Sequence, residues 1–233
     1  MRIACESKTM SLSLLFGSDR LLTDGYAWER LTMDATKKIA VECDEALAKN
    51  TRRFGVRDVV YQSRELESLV TEYLLPMACR YLHSRAFLVR STLFDKPADS
   101  NWAVPWHQDV TIEVEERHEV EGFAPWSVKD GLISVQPPSS ILSKMLTLRL
   151  HLDPTDGENG ALLVDPGSHL NGKLKIQEIV PSDPVVCSCS AGEVLMMRPL
   201  LFHASNRSVS AKPRRVLHLD FAIEPLPKPL IWR

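Results

Sequence analysis

No apolar stretch in this 233-residue chain approaches the eighteen or so positions needed to span a bilayer, so a membrane protein built on helices is not expected. The first sixteen residues make a poor signal peptide, so none is expected from them. Leu12 to Phe16 is short, Glu6 and Lys8 flank it, and no small-residue cleavage site follows. An excess of one charge is also missing: 28 Lys and Arg against 30 Asp and Glu leave a net of -2, which gives no electrostatic reason for nucleic-acid binding. Arg52-Arg53 and Arg214-Arg215 are no more than short basic pairs. The five cysteines are odd in number and lack framework spacing, as expected in a reducing, cytoplasmic setting rather than in a disulfide scaffold. Cys187 and Cys189 would share one strand face, but no second pair exists to complete a zinc site, so structural burial is expected. Repeats, low-complexity tracts and linkers are lacking too. The length and the 44% hydrophobic content suit one domain of generous size.

Two patterns are present in succession. Residues 1–20 show little periodicity and are expected to be partly flexible, and Leu21 to Arg30 reads as a strand and turn. Met33 to Lys49 is helical in composition. Leu66, Leu69, Val70, Tyr73, Leu74, Met77 and Tyr81 form an i, i+3, i+4 stripe that predicts a second helix packed on a sheet. From Arg85 onward strand signals dominate: Ala86 to Phe94, Leu146 to Leu152, Ala161 to Val164, Val194 to Met197 and Val216 to Ile223. The series suits a mainly β protein with flanking α, a double-stranded β-helix (the jelly-roll barrel of cupins) with the N-terminal helices outside it. Between two of these strands lies a connection of about thirty residues, 111–140, rich in charge, Pro and Trp. Such length predicts a lid or binding loop.

The chemistry concentrates in His107-Gln108-Asp109. A histidine and a carboxylate two residues apart project from one face of a strand, since side chains alternate with period two. A distant second histidine can complete a three-ligand face, and two imidazoles with one carboxylate suit ferrous iron while leaving the opposite face open. Met197 to His203 is an apolar run that ends in such a histidine. Eleven residues further, Arg214 opens an alternating segment, and the intervening Ala-Ser-Asn-Arg-Ser-Val-Ser-Ala-Lys-Pro is rich in turn formers. A hairpin would bring His203 and Arg214 to neighbouring places. The planar fork of Arg214 could then hold a carboxylate through two parallel hydrogen bonds, the distal carboxylate of 2-oxoglutarate being the natural candidate.

Phe94-Asp-Lys-Pro97, Trp102 to Asp109, Trp126-Ser-Val-Lys-Asp-Gly131, Asn159-Gly160, Pro166-Gly-Ser-His169 and the His203 to Arg214 segment together resemble the phytanoyl-CoA dioxygenase family of iron and 2-oxoglutarate enzymes, from about Arg90 to the C-terminus. The resemblance implies His107, Asp109 and His203 as ligands of Fe(II), Arg214 as the 2-oxoglutarate anchor and Ser205 as a helper on the same carboxylate. It further implies O2 as oxidant, succinate and CO2 as products and a small-molecule substrate. Because Asp109 fills the position that related halogenases leave empty for chloride, hydroxylation is favoured over halogenation. Desaturation or ring formation would need no different ligands.

Further residues have weaker signals. Arg90 and Thr92 share a face of one predicted strand, with Thr92 a possible co-substrate contact and Arg90 a substrate contact. Phe123, Trp126, Lys129 and Gln136 in the expected lid are substrate-contact candidates, although Trp126 could equally pack the loop down. Arg149 and His151 share a strand face. An inward Arg149 would favour an anionic ligand, whereas the opposite register would leave it in solvent. Lys96 is expected at the barrel rim, His169 as a brace for the Pro166-Gly167 turn, and His83 and His118 at the surface. His218 and Asp220 alternate with Arg214 and read as a buried hydrogen-bonding pair. Two other functions stay open: a cupin-like metal enzyme that uses no keto acid, expected to show a fourth histidine ligand, and a non-catalytic metal or 2-oxoglutarate binder.

Overall fold

The computed structural model describes residues 3–4, 15–50, 55–96, 102–129, 131–210 and 212–233. In chain order these form α1 Leu15–Thr23, β1 Tyr26–Arg30, α2 Met33–Ala48, β2 Gly55–Arg57, α3 Arg64–Leu69, α4 Leu75–Leu82, β3 Phe87–Lys96, β4 Val104–His107, β5 Ile112–Val114, β6 Trp126–Lys129, β7 Leu132–Val135, α5 Ser139–Leu142, β8 Leu146–His151, β9 Leu162–Val164, β10 Val185–Cys187, β11 Glu193–Met197, β12 His203–Ser205 and β13 Arg214–Ala222. The expectation of flexibility over 1–20 falls mostly outside the described residues. Where it does not, Leu15–Thr23 is helical, and Gly25 at φ +81° turns the chain directly into β1.

All strand pairings within the sheets are antiparallel. A six-stranded sheet has the order β1-β11-β8-β13-β3-β2, and a four-stranded sheet of shorter strands has the order β10-β9-β12-β4. This is the jelly-roll arrangement. The large sheet explains the composition of its strands. In β8, Leu146, Leu148 and Leu150 point to one side and Thr147, Arg149 and His151 to the other, all buried. In β13, Leu217, Leu219 and Phe221 join the same apolar side.

That apolar face is covered by the helices. Ile39 and Cys43 of α2, Leu66 and Leu69 of α3, and Leu75 and Met77 of α4 share one core with Leu148, Leu219 and Phe221. Each such side chain contributes about 1.5–3 kcal/mol on burial. Local signals set the helix positions: Thr32 accepts from the Ala35 amide to cap α2, and Ser63 accepts from Leu66 to cap α3. The predicted stripe is therefore the buried face of α3 and α4, with one wide π turn, Val70–Leu74, just before Pro76, whose ring has no amide to continue the ladder. With the leucines turned to the helices, the polar side chains of the same strands face the barrel interior.

The 111–140 segment, expected from its length to be a lid or binding loop, contains strands of its own. Its strands make a third sheet, order β5-β7-β6, over a small core of Ile112, Val114, Phe123, Val135, Leu226 and Trp232. Lys129 at the end of β6 pairs with Leu132 at the start of β7, and Gly131 before β7 has φ +78°, a conformation open to glycine. Among the described residues, no helix is long and apolar enough to cross a membrane.

Candidate active site

The two short strands β4 and β12 pair antiparallel with His107 directly opposite His203. Their rings lie 4.1 Å apart between centroids. Asp109, two residues beyond His107, is fixed through its backbone amide to the Pro199 carbonyl at 2.8 Å. One donor atom from each of His107, Asp109 and His203 lies within 4.8 Å of the others. Carboxylate oxygens of Asp109 stand 4.0 Å from His107 Nε2 and 3.6 Å from His203 Nε2.

The backbone selects the tautomers. His107 Nδ1 meets the Pro105 carbonyl at 2.8 Å and His203 Nδ1 meets the Leu201 carbonyl at 2.9 Å. A carbonyl can only accept, so each Nδ1 carries the proton and each Nε2 keeps its lone pair. Burial pushes the His203 imidazole down to about 4, against the pull of Asp109, so it is neutral and ready to ligate near neutral pH. Burial favours the protonated form of Asp109, but electrostatic interactions with the neighbouring His203 and His218 rings and with the Arg90 guanidinium outweigh it and hold the carboxyl below its usual range. Two neutral imidazoles and one carboxylate on a shared face fit ferrous iron.

A cavity of about 190 Å³ opens beside these three groups, with Phe94, Arg149, Ser205, Arg214 and His218 among its walls. Arg214 is buried and its Nε has no hydrogen-bond partner. Burial, with the nearby charge of Arg149, lowers its pKa to about 10, which still leaves a cation at neutral pH. Such a group demands an anion, and a keto acid with a second carboxylate fits the demand. His218 does not serve as a fourth metal ligand: its Nδ1 meets Arg149 Nη1 at 3.0 Å and its Nε2 lies 3.2 Å from Asp220.

The remaining candidates divide. Arg149 lines the cavity, so the inward register holds. Arg90 faces inward but is taken up by Asp220 at 2.5 Å and the Thr111 carbonyl at 3.3 Å. Thr92 is buried opposite His218 without lining the cavity. His151 lies beyond it, its Nδ1 3.3 Å from the Glu193 carbonyl and its ring against Trp28. Phe123 is core in the third sheet, Trp126 packs on that core beneath Arg117, and Lys129 is exposed. Gln136 lines a second, larger cleft of about 550 Å³ that shares His107 with the first cavity.

Three residues have larger parts than their sequence signals gave them. Gln108, buried, donates to the Gly172 and Leu200 carbonyls at 2.7 and 2.8 Å and accepts from Leu174 N at 2.9 Å. It thus pins the loop that walls the second cleft to the strand that carries His203. Lys96 is buried rather than at the rim, donating to the carbonyls of Trp102 and Asn206. His169 meets the Leu22 carbonyl at 3.1 Å and so ties its segment to α1. Residues 97–101, Pro-Ala-Asp-Ser-Asn, whose composition predicts a loop before β4, lie outside the described residues.

A double-stranded β-helix with a His-X-Asp and a distal histidine on its smaller sheet defines a class of metal-site barrels. The chain belongs to the phytanoyl-CoA dioxygenase (PhyH) family, whose pattern matches residues 20–216. No curated protein sequence matches it. Solved structures of like fold include EctD from S. alaskensis with bound Fe (20% identity, TM-score 0.71, covering 97% of this chain and 84% of that one). The epimerase SnoN in complex with Fe3+, alpha ketoglutarate and nogalamycin RO is similar at 16% identity and TM-score 0.67, covering 88% and 82%. AviO1 from Streptomyces viridochromogenes Tue57 is similar at 20% identity and TM-score 0.67, covering 94% and 100%.

Proposed function

We propose that this chain is an Fe(II)- and 2-oxoglutarate-dependent dioxygenase, a single catalytic domain that hydroxylates a C–H bond of a small molecule. His107, Asp109 and His203 hold the metal through Nε2, a carboxylate oxygen and Nε2. Arg214, with Ser205 beside it, binds the distal carboxylate of 2-oxoglutarate. When bound, ferrous iron supplies the activation of O2 coupled to oxidation of 2-oxoglutarate to succinate and CO2, with one oxygen atom passing to the substrate.

The protein's own groups do the rest. The carbonyls of Pro105 and Leu201 orient the two imidazoles. The apolar Phe94, Val104 and Leu162 walls keep water from the inner cavity. The second cleft opens over His107, where a substrate C–H bond can reach the metal without passing Arg214. The relatives SnoN and EctD, in whose structures iron was bound, support the metal assignment by likeness of fold.

One observation carries the reading: a buried guanidinium with an unpartnered Nε faces the same cavity as the three metal-ligating side chains. The experiment is to incubate the protein with 2-oxoglutarate and measure succinate. Formation that requires both Fe(II) and O2, and that falls to background in Arg214→Ala, is expected. Absence of succinate across a broad substrate panel, with Arg214→Ala unchanged in 2-oxoglutarate binding, contradicts it.

A further inference from the structure

The inner barrel contains three arginines, and they differ in how their charge is met. Arg90 has Asp220. Arg214 awaits the distal carboxylate under the reading above. Arg149 has neither: it is 7% exposed, its Nε is buried without a partner, and its Nη1 is hydrogen-bonded to a ring nitrogen, His218 Nδ1, rather than to a carboxylate. Its guanidinium also lies 5.9 Å from the centre of the Phe94 ring, a contact that attracts a cation without neutralising it.

We propose that Arg149 is a second carboxylate-binding residue for the co-substrate, holding the end at the metal while Arg214 holds the other, so that the inner cavity selects a 2-oxo dicarboxylate. The proposal rests on the function proposed above. Three observations support it. First, Arg149 and Arg214 line one cavity with a single carboxylate, Asp109, which the metal takes. A ligand with one acid group would leave one buried guanidinium bare, whereas a dianion meets both.

Second, the two cations address different ends. Arg149 sits opposite His218 across β8 and β13, and His218 follows Arg214 by four positions, roughly 13 Å along a strand. Arg149 lines the cavity together with His107, Asp109 and His203, the three metal-ligating side chains.

Third, Arg149 is held in position. A guanidinium cannot accept a hydrogen bond, so His218 Nδ1 accepts from Arg149 and its Nε2–H donates to Asp220. Asp220 is anchored in turn by Thr147 Oγ1 at 2.6 Å and Arg90 Nε at 2.5 Å. The chain of bonds leaves the rest of the guanidinium for a planar, two-point contact.

The test is anaerobic calorimetric titration of the Fe(II)-loaded protein with 2-oxoglutarate and with 2-oxopentanoate, which keeps the keto-acid end but lacks the distal carboxylate. R149Q is expected to weaken both ligands by a similar factor, about 30-fold or more. R214Q is expected to weaken 2-oxoglutarate alone. R149K, which keeps the charge without the fork, should recover part of the loss and carries the test should R149Q not fold. Recovery by R149K distinguishes a charge contact from loss of packing, and the contrast with R214Q, which acts on 2-oxoglutarate alone, assigns the two arginines to different ends of the ligand. If R149Q binds 2-oxoglutarate within about 3-fold of the native protein, or loses it while binding 2-oxopentanoate normally, the assignment of Arg149 is overturned and the proposed function stands. If the native protein binds neither ligand, both are overturned.

Discussion

The two cavities that meet at His107 are made from different parts of the fold. The inner one, about 190 Å³, has walls mainly from paired strands, β3, β4, β8, β9, β12 and β13, and its two arginines are buried. The outer one, about 550 Å³, is lined by Gln136 and by the stretch from Lys173 to Ile179, with Lys175, Ile176 and Glu178 exposed. The difference has a physical logic. Metal ligation and carboxylate binding require fixed geometry, which hydrogen-bonded strands supply, and substrate choice can be left to loops that change without disturbing the barrel. Gln108 is the link, since its side chain bonds both to Leu200 before β12 and to Gly172 and Leu174 of the outer wall.

This division predicts that changes in the inner wall alter metal and co-substrate binding whatever the substrate, and that changes in the outer wall do not. The largest effect is expected for His203→Ala, with Fe(II) affinity lowered by at least about 100-fold and turnover lost, read by metal titration and oxygen consumption. Arg214→Gln should follow, with 2-oxoglutarate binding weakened by about 100-fold and metal binding retained. Gln108→Ala removes three hydrogen bonds from a buried site and should cost about 2–4 kcal/mol in urea denaturation while loosening the outer wall.

His151 provides a pH test of how dry the interior is. Burial, then the charge of Arg149, pushes it down to about 3 from a usual value near 6.5. A base with a depressed folded-state pKa contributes stability that is full above the unfolded pKa and is lost as pH falls through the folded one. Between pH 6.5 and 4.5 that loss is about 2–3 kcal/mol. His151→Asn should flatten the stability profile in that window, and an unchanged slope would mean that water reaches the ring. The smallest effect is expected at the outer wall: Ile176→Ala should raise the KM for the primary substrate by about 3–10-fold and leave 2-oxoglutarate binding alone.

The same contrast governs how much could be read from the sequence. The inner cavity was legible because strands repeat every two residues: His107 with Asp109, and Arg214 with His218 and Asp220, fall on common faces by spacing alone. The direction of a face was harder. Leu-Thr-Leu-Arg-Leu-His in β8 alternates equally well in either register, and only the helices over Leu146, Leu148 and Leu150 decide that Arg149 turns inward. Arg90 illustrates another limit, because Asp220, 130 residues away, occupies a guanidinium that spacing alone left free. The outer cleft has no period to read. Its walls are brought together by Gln108 and by the third sheet, which forms within a segment read from its length as a lid.

Under the proposed function the inner cavity holds a metal and a keto-acid dianion side by side, with His203 among the metal's ligands and Arg214 on the dianion. Sequential anaerobic titration with Fe(II) and then 2-oxoglutarate tests it most directly. The account predicts one metal bound, then one 2-oxoglutarate, with Arg214→Gln losing only the second step and His203→Ala losing the first as well. Binding of 2-oxoglutarate that is unaffected by Arg214→Gln would contradict it.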